Sequence, residues 1–210
     1  TPRDLQHRLD RLGIAVDETA FHTSALATAD FLKAQKPGGT AYVIGGAGLT
    51  KALYDAGYTL TEQHPDYVVV GDTRSYDYEK IERAIRLILA GARFVATNLD
   101  LTGPSEDGLQ PACGALVAPI ELATGRKAYF VGKPNPLMMR TALRKLEAHS
   151  SEAFMVGDRM DTDIQAGTEA GMRTILVLSG VSTRATIEAY PYRPTHVFED
   201  AGHIPVDTLG

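Results

Sequence analysis

The chain has 210 residues, 44% hydrophobic and 22% charged, with a formal net charge of −5, a balance that lets one large domain or two small ones bury a core. Its acidity argues against a nucleic-acid partner, because backbone-phosphate binding draws its affinity from clustered Lys and Arg. No apolar run reaches the roughly eighteen residues that span a bilayer and no signal peptide is evident, while the single cysteine, Cys113, excludes an intrachain disulfide and fits a reducing cytoplasm.

In chain order, Thr1-Pro2-Arg3-Asp4 reads as a helix start: a capping hydroxyl, proline at the first helical position and an acid in the first turn. A natural N-terminus seldom begins on a cap, so the chain is expected to open inside a longer protein. The first helix runs to about Leu12 and stops at Gly13, with Leu5, Leu9 and Leu12 on one face; a second spans Ser24 to Lys36. Pro37-Gly38-Gly39 then breaks the chain as a candidate domain junction.

From Ala41 strands and helices alternate. Ala41–Ile44, Tyr67–Val70 and Arg93–Ala96 are predicted strands, and Leu49–Ala56 and Tyr78–Ala90 are predicted helices closed by Gly57 and Gly91. A loop from Thr102 to Pro111 and a helix from Ala115 to Ala123 precede a second alternation. It comprises a strand at Tyr129–Val131, a helix from Pro136 to Ala148, a strand at Ala153–Val156, a helix from Asp163 to Ala170 and a strand at Thr174–Leu178. Short apolar runs separated by amphipathic helices indicate parallel strands with helical crossovers, an α/β fold.

Ligands of such sheets bind beyond the carboxyl ends of the strands. Two segments stand there. In Val131-Gly132-Lys133-Pro134-Asn135-Pro136 a lysine leaves a strand end; in Val156-Gly157-Asp158-Arg159-Met160-Asp161-Thr162-Asp163 three carboxylates meet a helix start. Lys133 can offer a positive charge to a phosphate and Asp158 a hard oxygen to Mg2+, which takes one or two carboxylates plus substrate phosphate oxygens. The N–H groups from Arg159 to Thr162 precede a helix and suit an anion. Taken alone, Gly-Lys-Pro is a turn and an Asp-rich loop is ordinary capping. Their order makes the pair specific, and positioning with charge neutralisation is what phosphoryl transfer requires.

The run Gly132-Lys133-Pro134 followed by Gly157-Asp158-Arg159-Met160-Asp161-Thr162-Asp163 resembles the third and fourth motifs of the haloacid dehalogenase superfamily. Ala96-Thr97-Asn98-Leu99-Asp100, Pro111-Ala112-Cys113-Gly114-Ala115 and Leu176-Val177-Leu178-Ser179-Gly180-Val181-Ser182 further resemble its NagD-type nucleotide phosphatases. The resemblance implies a Rossmann-like core of residues 1–37 and 127–210 interrupted by a C2-type α/β cap at 38–126. It implies Mg2+ as cofactor, a small phosphorylated metabolite as substrate, nucleoside monophosphates such as UMP first, and a phosphoaspartate intermediate. By position Lys133 corresponds to the lysine that steadies nucleophile and phosphate, Asp158 to the metal ligand and Asp163 to the supporting acid. Arg159, Met160, Asp161 and Thr162 correspond to the stretch lining the phosphate. Asn98 and Asp100 would face the substrate from the cap, where the alternative is a capped turn.

The family's first motif, Asp-x-Asp-Gly, and its second, a Thr or Ser after a strand, are absent from these 210 residues. The nearest substitutes, around Asp72, Asp100 and Asp161, do not follow that pattern. The expectation is therefore that an N-terminal segment or a companion chain supplies the nucleophile and a strand beside the one ending at Val156, and that this chain alone is inactive. A homo-oligomer is compatible with this reading. The rival is a non-catalytic phosphate-binding or interaction protein that kept only the third and fourth motifs. The Gly45-Gly46-Ala47-Gly48 turn is a poor dinucleotide fingerprint, because Lys51 stands where the third glycine belongs.

Overall fold

The apolar runs of the first part of the chain form a five-stranded, wholly parallel sheet in the order β2-β1-β3-β4-β7. The structure, a computed structural model, describes residues 1–209, the side chain of Val206 excepted. They divide into two compact units, Thr1–Gly132 and a second that starts at Lys133. In the first, helices α1 (Pro2–Asp10) and α2 (Ser24–Gln35) precede β1 (Thr40–Ile44), α3 (Ala47–Asp55), β2 (Thr59–Leu60), β3 (Tyr67–Val70), α4 (Tyr78–Leu89) and β4 (Arg93–Ala96). A hairpin, β5 (Thr102–Ser105) and β6 (Gly108–Pro111), leads to α5 (Cys113–Thr124) and β7 (Tyr129–Phe130).

Every residue of β3 is buried, as expected of a central parallel strand covered on both faces. Strand side chains alternate between faces, so Tyr42, Ile44, Val68, Val70, Phe94 and Ala96 share one, packed with Ala84 and Ile88 of α4 and Cys113, Leu116, Val117 and Ile120 of α5. Helices α2 and α3 pack on each other and bring in the fully buried Leu32 and Leu53. Local chemistry sets the helix starts: Asp77 accepts the Lys80 N–H at 2.9 Å to cap α4.

Three local expectations change. Tyr129–Phe130 pairs in parallel with β4 and therefore closes the first unit's sheet instead of opening the second unit. The Thr102–Pro111 segment is a hairpin. Helix α1 ends at Asp10, and it has no buried residue, with Leu5 and Leu12 exposed.

The second unit has a three-stranded parallel sheet, β10-β9-β8, from β8 (Phe154–Gly157), β9 (Arg173–Val177) and β10 (His196–Phe198). Around it lie α6 (Pro136–Leu146), a π-helical turn at Met160–Ile164, α7 (Gln165–Glu169) and α8 (Arg184–Glu188). Met160, Ile164, Leu176 and Ile187 form its core. Strand β8 pairs with β9 on one edge only among the described residues, and Val156 is 43% exposed.

Candidate active site

Lys133, Asp158 and Asp163 meet inside the second unit. The Lys133 ammonium donates to Asp163 Oδ1 at 2.6 Å. Asp163 is buried, and its other oxygen, Oδ2, accepts the N–H groups of Asp158 and Arg159, both at 3.2 Å. A single carboxylate thereby ties together the lysine and the backbone at the carboxyl end of β8. The approach is so close that a Cβ at Gly157 would lie 2.2 Å from Asp163 Cβ, which reserves this position for glycine.

The π-helical turn delivers Asp163 to this place. The N–H groups of Asp163 and Ile164 both donate to the Arg159 carbonyl at 3.1 Å, widening the turn beyond the α-helical bonding pattern. Met160 and Ile164 enter the core beneath it, and the Tyr192 hydroxyl donates to the Met160 carbonyl at 2.9 Å. Helix formation thus begins at Met160, earlier than the predicted start at Asp163.

Asp158 is held from the loop after β9. Its Oδ2 accepts the Val181 N–H at 2.9 Å and its carbonyl accepts the Ser182 N–H at 2.9 Å. Oδ1 accepts no hydrogen bond among the described residues. Mg2+ asks for hard oxygens and binds through one or two carboxylates, completed by water and phosphate. The described residues contain no cluster of three or more His, Cys, Asp or Glu able to hold a metal. A lone available carboxylate oxygen fits a sparsely ligated Mg2+ and not a zinc cage built from protein ligands.

Among the predicted phosphate-lining residues, Arg159, Met160 and Asp161 have partners within the second unit. Arg159 grips Asp161 in a two-pronged ion pair, Nε to Oδ1 at 3.1 Å and Nη2 to Oδ2 at 2.8 Å. This guanidinium, joined by the N–H groups of Asp161 and Thr162, holds the Asp161 carboxyl below the usual carboxylate range against the opposing effect of burial. The Met160 N–H donates to Ser182 Oγ at 3.2 Å, and Met160 and Thr162 are buried. Of the four N–H groups from Arg159 to Thr162 expected to form an anion cradle, those of Arg159 and Met160 are therefore engaged inside the protein.

Asn98 and Asp100 lie in the first unit, just beyond β4. The Thr97 hydroxyl donates to Asn98 Oδ1 at 2.7 Å, and Asn98 Nδ2 donates to Asp100 Oδ2 at 2.8 Å. Asp72, beyond the neighbouring β3, has its carboxyl pushed up by burial and by the charge of Asp100, against the pull of the Cys113 N–H. Cys113 is wholly buried and burial raises its thiol, as suits a small core residue. Sequence reasoning gave Val181 and Ser182 no role; the rule that polar groups after parallel strands build sites applied to β9 as well.

The sequence profile described as Haloacid dehalogenase-like hydrolase matches residues 1–59, and that of HAD-hydrolase-like proteins matches 130–204. The chain is 55% identical over 197 residues to the dihydroxyacetone phosphatase of Corynebacterium glutamicum strain R, covering 94% of this chain and 72% of that one. It is 48% identical over 206 residues to the ribonucleotide monophosphatase NagD of Escherichia coli K12, covering 98% and 81%. The solved structure of NagD from E. coli K-12 superposes with a TM-score of 0.91 over 98% of this chain and 81% of that chain, at 48% identity. The chain belongs to the haloacid dehalogenase-like hydrolases and, within them, to the NagD-type phosphatases.

Proposed function

We propose that the protein is a cytoplasmic, Mg2+-dependent phosphomonoester hydrolase acting on small phosphometabolites, nucleoside monophosphates first. The observation that carries this reading is that Asp163 binds both the Lys133 ammonium and the backbone N–H of Asp158, whose carboxylate is held by the Val181 N–H. Lys133 has three N–H donors and uses one on Asp163, which leaves donors for a substrate phosphoryl oxygen. Asp163 fixes that ammonium in place, and Asp158 Oδ1 would hold the metal. Mg2+, when bound there, would supply charge neutralisation on the phosphoryl group. Asn98 and Asp100 are assigned to substrate choice. The attacking aspartate of a phosphoaspartate route has no counterpart of the right pattern among these residues, so it is assigned to an N-terminal segment or a companion chain outside them. The 55% identity to a dihydroxyacetone phosphatase supports a second reading, in which the preferred substrate is a triose phosphate.

The test measures phosphate release by the full-length protein from nucleoside monophosphates, dihydroxyacetone phosphate and p-nitrophenyl phosphate. Release is expected to need Mg2+ and to favour a nucleoside monophosphate in kcat/KM; a preference for dihydroxyacetone phosphate would select the second reading. Asp158→Asn should raise the Mg2+ requirement, and Lys133→Ala should raise the barrier by about 3 kcal/mol, the scale for losing one stabiliser of transition-state charge. Turnover that ignores EDTA and survives both substitutions would remove the mechanism.

A further inference from the structure

The loop after β9 makes three contacts with the other strand end, and each restrains a different part of it. The Val181 N–H binds Asp158 Oδ2 at 2.9 Å, the Ser182 N–H binds the Asp158 carbonyl at 2.9 Å, and Ser182 Oγ accepts the Met160 N–H at 3.2 Å. Ser182 is buried, 3% exposed, so its hydroxyl does not face solvent. A Cβ at Gly180 would fall 2.0 Å from Asp158 Oδ2. Only glycine lets the loop approach the carboxylate this closely.

A carboxylate has two oxygens and a rotatable bond, so an unrestrained Asp158 samples orientations that a metal must select at an entropic cost. Here Oδ2 is fixed by an amide, the backbone on the same residue is fixed by the next amide, and Oδ1 alone accepts nothing among the described residues. Groups that orient a metal ligand without touching the metal govern affinity in this way. The Ser182 hydroxyl extends the restraint to Met160, the first residue of the turn that carries Asp163.

We infer that Gly180-Val181-Ser182 is a positioning clamp for Asp158, which presents Oδ1 to the metal in a preset direction, with Ser182 as its side-chain anchor. This rests on the proposed Mg2+ role of Asp158. Ser182 is a positioning residue, since it acts through Asp158 and Met160 and touches no reacting atom.

The test is direct Mn2+ uptake by the full-length protein, followed by electron paramagnetic resonance, with the Mg2+ activation constant and KM measured alongside. Ser182→Ala should weaken Mn2+ binding and raise the Mg2+ activation constant by about tenfold, the lower end for losing an orienting partner. KM for p-nitrophenyl phosphate at saturating Mg2+ should stay within about twofold, because uniform substrate binding is untouched. Ser182→Thr, which keeps the hydroxyl, should restore metal affinity, and Gly180→Ala should lose more than Ser182→Ala does. A parent protein that binds Mn2+ equally well with Ser182→Ala or Gly180→Ala overturns the clamp alone. So does a Ser182→Ala defect confined to thermal stability. A parent that takes up no Mn2+ overturns the clamp together with the metal role of Asp158.

Discussion

Replacing Lys133 by Met tests the geometry on which the site depends. The ammonium sits 2.6 Å from Asp163 Oδ1, with Lys133 36% exposed and Asp163 6% exposed at the side chain. Two unit charges about 4 Å apart attract by roughly 4 kcal/mol at an effective dielectric of about 20, before desolvation and ordering are counted. Exposed pairs retain about 1 kcal/mol or less, whereas removing one partner of a buried pair costs about 3–5 kcal/mol. This pair is mixed. Asp163 keeps the two amide donors at 3.2 Å after truncation, and Lys133 is partly screened, so the expected loss is about 2 kcal/mol, between those limits. For a chain of this size that lowers Tm by about 4–8 °C. Urea unfolding near pH 7 of the parent, Lys133→Met, Asp163→Asn and the double variant isolates the coupling, expected at about 1–2 kcal/mol. A coupling under about 0.5 kcal/mol, or one erased by about 1 M NaCl where the Debye length falls to about 3 Å, would refute a sheltered pair.

Two further outcomes test the fold. In the first unit, the Lys36 ammonium and the Thr40 N–H hold the Asp66 carboxyl down to about 2 from 3.8, so this group stabilises the fold above about pH 4. That contribution fades as pH falls through about 2, and Asp66→Asn should lose its stability deficit over the same interval in acid urea titrations; a deficit independent of pH would show that ionisation is not the cause. Ile88 is fully buried between α4 and the sheet, so Ile88→Ala should cost about 3 kcal/mol, while Leu122→Ala, at a position 86% exposed, should stay within about 0.5 kcal/mol in the same denaturation assay.

Much of this was legible because parallel sheets announce themselves locally. Val68-Val69-Val70 is apolar without alternation, and such a run between helical periods reads as a strand covered on both faces. The sheet to which Tyr129–Phe130 belongs was not legible, since the run looks the same whether it pairs with β4 or with β8. The hairpin was hidden by Pro104, Pro111 and a lack of alternation, although Asp107-Gly108 is a turn signal in its own right. In the site, the order of the two strand-end segments was enough to point to Lys133 and Asp158, and the resemblance to the family's fourth motif added Asp163. The fate of the Arg159 and Met160 amides depends on Asp163 folding back over the loop and on Ser182 arriving from the segment after β9. The Ser182 contact, 22 residues away in the chain, is a long-range fact that no local pattern carries.

The wide turn at Met160–Ile164 makes the site sensitive to length in a way it is not to side-chain identity. In an α-helix each residue advances the direction of its side chain by about 100°. Deleting one residue inside the turn would let it relax to that narrower spiral and swing Asp163 round the axis, away from the Lys133 ammonium it now meets. Insertions and deletions here should therefore be far more damaging than the same changes in the exposed Glu106–Asp107 bend.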